Sequence, residues 1–403
     1  MAAVTVRKVS KSFGDFYVPR YEIVASTGGL APGVLRDVTQ VTYNDSTTDI
    51  DSFDLTVNNW DPVARDFKYV GAERTGVGDT PLQELFNPGA GEFELRLGYG
   101  SELVTIMTGT TTSLEPQFPS SGAPTLTVRA LNVLHRLRTK KYRDHWVGKK
   151  ISEIAEDIGK RNDPDGKKRF PLPVRTDAKA KGKEPKLDYC AQDNQYDIDF
   201  LLLEARNIGY VVFVDTEPAG AGKTREVLRF APSDARHAGA AAVSYELEWG
   251  VSLIDFTPKL STANQVSSVE VKSWDRQKNR AIKPKVDLKT PGLANQDLLP
   301  LLQGKSAPAR EDVVVNEPQF TEAQAKRRAE AVLSDRLKQL VEASGTTVGL
   351  PDLRSGQRVL IRGLGARFSG IYFVTKTTHT LGDSGYTTKF TARREAPAEG
   401  AKA

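Results

Sequence analysis

The chain has 403 residues, 39% hydrophobic and 27% charged, with a net charge of +5, a globular composition with enough apolar material for two to four domains. No run of about 18 apolar residues occurs, which excludes a membrane-spanning helix, and no apolar stretch follows Arg7, Lys8 and Lys11, which argues against a secretory signal. The single cysteine, Cys190, excludes an intrachain disulfide framework, the four histidines are too few and too scattered for a zinc cage, and 56 basic against 51 acidic residues is too even a balance to announce a nucleic-acid binder.

The first 135 residues read as β. Phe53, Leu55 and Val57 alternate with polar neighbours, as do Phe93, Leu95, Leu97 and Tyr99, and then Leu126, Val128 and Ala130. A period of two marks strands buried on one face. Turn clusters at 58–59, 76–79 and 119–122 separate them, and the pattern predicts an antiparallel barrel or sandwich. Near Leu137 the period changes to helical. Val147, Ile151, Ile154, Ala155 and Ile158 fall on one face of a short helix ending near Gly159. Residues 162–186 read as a mobile basic loop. A second helix starts with Asp197 as N-cap, buries Ile198, Leu201, Leu202, Ala205 and Ile208, and stops at Gly209. Tyr210 to Val214 and Glu226 to Phe230 read as a strand pair.

From about Ala240 the β texture returns in Val269 and Val271, Val359 and Ile361, Tyr372 and Val374, and Tyr386 to Ala392. One helix interrupts it over 321–343. Thr321 and Gln324 form a capping box, Ala325, Ala329, Val332, Leu333, Leu337, Leu340 and Val341 form the apolar stripe, and Lys326, Arg327, Glu330, Asp335 and Lys338 form a face toward water. Residues 284–318 read as an extended excursion, and 396–403 as a disordered tail. The fold class is therefore mainly β with an α+β insert. The boundaries fall at 1–136, 137–235 and 236–395, before the tail. The two β regions echo each other: an alternating strand (Phe93 to Tyr99; Arg358 to Arg362), a Gly-led strand (from Gly109; from Gly370) and a last alternating strand (Thr125 to Ala130; Tyr386 to Ala392).

No catalytic, cofactor or metal constellation emerges. Gly220-Ala221-Gly222-Lys223-Thr224 resembles the end of a phosphate loop, but Glu217 stands where its first glycine belongs and a strand follows, so it reads as a hairpin turn. Asp163, Asp165 and Gly166 lack the remaining calcium ligands. His135, His145, His237 and His379 show no ligand spacing, Cys190 has no nucleophile motif, and Asp197 and Asp199 read as helix-start residues. The basic stretch 136–150 (Arg136, Arg138, Lys140, Lys141, Arg143, Lys149, Lys150) with Tyr142 and Trp146 as stacking rings offers one alternative, a nucleic-acid-binding module. A cell-wall hydrolase is another, without a carboxylate pair in its support.

Three stretches carry a family resemblance. They are Gln192 to Leu201 with Glu204-Ala205 and Gly209; Leu247-Glu248-Trp249-Gly250 with Leu253, Phe256, Pro258, Val269-Glu270-Val271 and Trp274-Asp275; and Gly349-Leu350-Pro351-Asp352-Leu353 with Gly356, Gly370 to Val374, His379 and Gly385-Tyr386. In this order they resemble the late control protein D family of contractile-tailed phages, the baseplate hub, and the hub-like N-terminal part of VgrG spikes. The resemblance implies a structural protein with two tube-like β-barrels, 1–136 and 236–395, flanking the small α/β domain. It implies a homotrimer that meets a hexameric tail tube protein on one face and a separate trimeric spike protein on the other, among other baseplate proteins. No small-molecule substrate, cofactor or membrane insertion is implied. Synthesis in the bacterial cytoplasm and assembly into a virion tail or injection particle follow from the same resemblance.

Overall fold

Alternation of apolar and polar residues becomes strand wherever the sequence shows it. The computed structural model describes residues 7–8, 18–25, 28–70, 85–89, 91–100, 102–138, 140–220, 223–233, 244–276, 278–291, 293–303, 310–315, 317 and 319–397. The turn expected at 76–79, the boundary at Ala235, His237, Pro318 and residues 398–403 lie outside the described residues. In the first region β1 (Pro19–Ala25), β2 (Val38–Ser46), β3 (Ser52–Asn58), β4 (Glu92–Tyr99), β5 (Glu102–Gln117) and β6 (Thr125–Asn132) are sheet. Phe53, Leu55 and Val57, and Leu126, Val128 and Ala130, all point into one core.

The middle region has its own core around Trp146, Ile154, Phe200, Leu201 and Phe230. Its elements are β7 (Tyr142–Trp146), α1 (Ile151–Ile158), β8 (Val174–Thr176), α2 (Ala178–Gly182), β9 (Cys190–Gln195), α3 (Asp197–Asn207), β10 (Tyr210–Gly220) and β11 (Lys223–Pro232). Three expectations change here. Val147 is exposed and precedes α1, because Gly148 at φ +66 turns the chain before the helix starts. The stretch 162–186 is not simply a loop: it supplies β8 and α2 and buries Phe170, Leu172 and Glu184. Asp197 is the first residue of α3 and Tyr196 is its N-cap; the Asp197 carboxylate is drawn instead into a buried bond with Arg169.

The third region contains β12 (Tyr245–Glu248), β13 (Leu253–Leu260), β14 (Ser268–Val271), β15 (Lys285–Asp287), β16 (Glu311–Val314), α4 (Glu322–Lys338), β17 (Val341–Val348), β18 (Arg358–Arg362), β19 (Gly370–Gly382) and β20 (Gly385–Pro397). The capping box of α4 forms as read, with Gln324 N donating to Thr321 Oγ1 at 3.2 Å. The helix ends at Lys338, five residues before the expected Ala343. Val341 onward pairs with strands on both sides, β13 and β20, and two ladders outweigh one more helical turn. Its expected polar face is open in part: Lys326 is exposed and Arg327, Glu330 and Asp335 are half-buried, but Lys338 is buried, as is Arg328, which bonds Glu317 and the Arg206 carbonyl. The 284–318 excursion supplies β15 and β16, which flank β14, and Asn295 ties it to the carbonyls of Leu337 and Arg394. The last strand runs through Ala396 to Pro397, beyond the expected start of the tail.

The two β regions, expected as two barrels, join into one curled fourteen-stranded sheet. Each contributes five strands in the same order. The first runs β2-β3-β6-β5-β4 and the second β13-β17-β20-β19-β18, all antiparallel. Two β-bulges recur at matching places, one at Val38/Gln40 and Leu253/Asp255, the other at Arg129/Ala130 and Val374/Lys376. Bulges are fixed features of a ladder rather than accidents, so their recurrence supports a true repeat. The expected Gly-led strand differs in one respect: β5 starts at Glu102, and Gly109 lies inside it opposite Phe93. The halves meet where β19, paired along its whole length with β20, passes from β18 to β2 on its other edge.

Leu333 on α4 has no exposed surface and packs in the third core. Leu333→Ala is expected to cost about 2–5 kcal/mol, read as a lower urea midpoint; an unchanged midpoint contradicts this packing.

Candidate functional site

The residues that bind the halves together lie on one loop, 349–356, between β17 and β18. Gly349 sits against the Tyr386 ring, where a Cβ would fall 2.1 Å from ring atoms, and its carbonyl accepts from Tyr99 Oη in the first region at 2.8 Å. Leu350 N donates to Thr388 Oγ1 at 2.9 Å. Arg354 donates through Nε to Asp45 on β2 at 2.8 Å and through Nη1 to the Ile106 carbonyl on β5 at 2.7 Å. Ser355 donates to the same Asp45 carboxylate from its backbone N at 2.8 Å and its hydroxyl at 2.5 Å. Gly356, at φ +81, packs against Phe213 of the middle region, leaving no room for a side chain, and donates to Val374. All three regions therefore touch this loop.

His379 on β19 completes the junction. It is fully buried, with Nε2 against the Leu353 carbonyl at 2.9 Å and Nδ1 against Tyr386 Oη at 2.9 Å. The carbonyl can only accept, so Nε2 carries the proton and Nδ1 accepts from the tyrosine. Burial, helped by the Arg354 charge, pushes the imidazole pKa down to about 4. Burial and the neighbouring Asp45 push Asp51 well above the usual carboxylate range. The arrangement locks strands together.

The residues weighed from sequence are dispersed. Asp197 pairs with Arg169, which also holds Asp144 at 2.5 Å and Gln192 at 3.0 Å, while Asp199 pairs with Arg138 at 2.9 Å. Asp163 accepts from Tyr142 and Lys140, and Asp165 is engaged by Lys167. Gly220 pairs with Lys223 at the end of the β10–β11 hairpin, as the turn reading required. Cys190 is buried, its thiol pushed up to about 12 by burial. His135 rests on the Asn132 carbonyl and His145 on the Tyr189 ring. Among the described residues no group of three or more His, Cys, Asp or Glu side chains could hold a metal, and no helix is long and apolar enough to cross a membrane.

The basic stretch does not form a stacking platform. Trp146 is buried, stacked on Phe200 and bonded through Nε1 to Asp157 at 2.7 Å. The Arg169 guanidinium covers Tyr142 at 3.4 Å from the ring centroid. Arg138, Lys140 and Arg143 have carboxylate partners, and Lys150 caps the carbonyls of Lys181 and Gly182. Sequence reasoning missed Asp45, Arg354 and Arg169; the loop 349–356 entered only through the resemblance.

The fold so described has counterparts among solved structures. The chain is similar to the 43 kDa tail protein of prophage MuSo2 from Shewanella oneidensis, with 15% identity, a TM-score of 0.61, and 93% of this chain and 98% of that one covered. It is similar to a tail protein from Neisseria meningitidis MC58, with 14% identity, a TM-score of 0.62 and coverage of 96% and 98%. An Escherichia coli component of the type VI secretion system, described as structurally similar to the T4 bacteriophage tail proteins gp27 and gp5, shows 12% identity, a TM-score of 0.51 and coverage of 94% and 77%. The chain thus has the fold of phage-type tail proteins. No curated protein matches it. The model of the family described as the Alg8 N-terminal domain matches residues 71–383, most of the chain, and the chain belongs to that family.

Two outcomes test the junction. Arg354→Met leaves Asp45 buried without its cation and is expected to cost about 3–5 kcal/mol by denaturant unfolding; a change within the error of the midpoint contradicts the role given to the pair. The His379 pKa lies near 4 in the folded chain and near 6.5 when unfolded. The stability it contributes is therefore complete above about pH 6.5 and is lost as pH falls toward 4. The wild type should lose more stability than His379→Gln over that window, and parallel pH profiles would contradict it.

Proposed function

We propose that the protein is a structural hub of a phage-type tail or injection-system baseplate. The observation that carries this reading is the repeat: one chain holds two copies of a five-strand unit in a single sheet, within a fold shared with prophage tail proteins. Three such chains in a closed ring present six similar units, which matches a hexameric tube without requiring a hexamer. A ring also covers strand edges that would otherwise invite uncontrolled pairing. The two units correspond to the tube-like barrels, the middle region decorates the ring, and the opposite face receives a separate trimeric spike protein. In this reading the chain resembles late control protein D and the hub-like part of VgrG, acts without catalysis, and works inside an assembled particle with other baseplate proteins.

The nucleic-acid alternative loses its support once Trp146 is buried and Tyr142 covered. The hub reading is tested by electron microscopy of the native particle carrying a tagged chain. Three copies on the tail axis, with six-lobed density between tube and spike, are expected. Six copies per ring, or a position on the outer sheath, overturn the assignment.

A further inference from the structure

Two unpaired charges of opposite sign line one cavity between the middle region and α4. The cavity has a volume of about 320 Å³, at the lower end of the range for small-ligand sites. Ile151, Leu187 and Ile208 give it apolar wall, and Tyr189 and Phe320, 54% and 47% exposed, carry that wall out to solvent. Glu204 on α3 stands one helical turn before Ile208, so both side chains share the face turned to the cavity. Its carboxylate accepts one long bond, from Asn207 Nδ2 at 3.4 Å, and burial raises its pKa. Arg327 on α4 has its Nε buried without a hydrogen-bond partner, and its guanidinium lies 5.9 Å from the centroid of the Tyr210 ring. Among the described residues neither charge has an ion-pair partner, and the two do not pair with each other.

The neighbouring polar groups are all engaged. Arg328, next in the chain, is held by Glu317 at 2.9 Å. Gln324 gives its side-chain oxygen to the N–H groups of Phe320 and Thr321 in the capping box of α4. Glu184, the other carboxylate in the wall, accepts from Ser152 N at 2.9 Å, from the Ser152 hydroxyl and from Tyr210 Oη at 2.9 Å. A sheltered ion without a partner carries a cost in free energy that a bound counter-charge offsets. Glu204 and Arg327 are therefore the groups left open, held apart in one apolar-walled space.

We infer that this cavity binds a zwitterion of lysine type, its ammonium on Glu204, its carboxylate on Arg327 and its methylene stem on the apolar wall. Guanidinium and carboxylate make strong charge-assisted bonds, and the stem of an amino group packs well on apolar surface while its head stays polar. A ligand with only a negative charge leaves Glu204 unpaired, and one with only a positive charge leaves Arg327 unpaired. The same chemistry is carried by a free ω-amino acid and by the C-terminal lysine of a partner polypeptide. The exposed rings of Tyr189 and Phe320 favour the polypeptide, because they offer apolar surface to the residues that precede the lysine. The cavity is built within one chain, so this site goes beyond the hub reading and does not depend on it.

Isothermal titration calorimetry of the full chain tests the site with 6-aminohexanoate, hexylamine and hexanoate. The zwitterion should bind about tenfold or more tighter than either singly charged probe. Glu204→Gln should abolish its advantage over hexanoate, and Arg327→Gln its advantage over hexylamine. Neither substitution breaks an ion pair, so neither should lower the urea midpoint, and the ranking of the probes on the unaltered chain decides the matter even where a variant is destabilised. The peptide acetyl-Gly-Gly-Lys, as free acid and as C-terminal amide, separates the sources. Tighter binding of the acid than of 6-aminohexanoate assigns the site to a polypeptide end, and weaker binding assigns it to a free amino acid.

Equal binding of the probes, or no binding at millimolar ligand, overturns the inference. So does equal binding of the peptide acid and its amide, or an unchanged preference in both variants.

Discussion

The pairing of Arg354 with Asp45 is the constraint on which the sheet depends. Both side chains are almost completely buried, and taking two charges out of water is costly unless every remaining bond is made. Several are made here: Asp45 accepts from Arg354 and twice from Ser355, and Arg354 also reaches the Ile106 carbonyl. The gain is in register. Sliding β19 by one residue along β2 would turn Thr377 and His379 out of the interior and carry Asp45 away from the loop. A well-packed apolar pair could hold the strands as firmly, but it would not choose one alignment.

From that alignment the rest of the sheet follows. The two five-strand units meet with β19 shared between them, so the hydrogen-bonded surface is continuous from β1 to β13. The loop 349–356 gathers Tyr99, Asp45, Phe213 and His379 from all three regions, which fixes the middle region against the sheet. For the hub proposed above, a rigid sheet suits repetition around an axis, because small errors of angle at each join would prevent ring closure.

Much of the fold was legible because its signals are local. Phe53, Leu55 and Val57 alternate, Thr321 and Gln324 form a capping box, and both features are present in the structure. What failed depends on partners distant in sequence. Leu340 and Val341 continue the stripe of α4, yet Val341 begins a strand because β13 and β20 wait on either side. Arg169 and Glu184 look like parts of a solvated basic run until Asp197, Asp144, Ser152 and Tyr210 close around them. Asp45 and Arg354 are 309 residues apart, and no periodicity relates them. The echo between the two β regions was visible in the last strands, but only the bulges fixed its register.

The most direct measurement is native-state hydrogen exchange across the join. If the two units form one cooperative sheet locked by Arg354 and Asp45, the ladder amides of 41–46 and 376–381 should exchange only with the slowest core amides, those of β3 and β17, through global unfolding. Fast exchange confined to these segments, with the two units retaining protection separately, would contradict a single sheet.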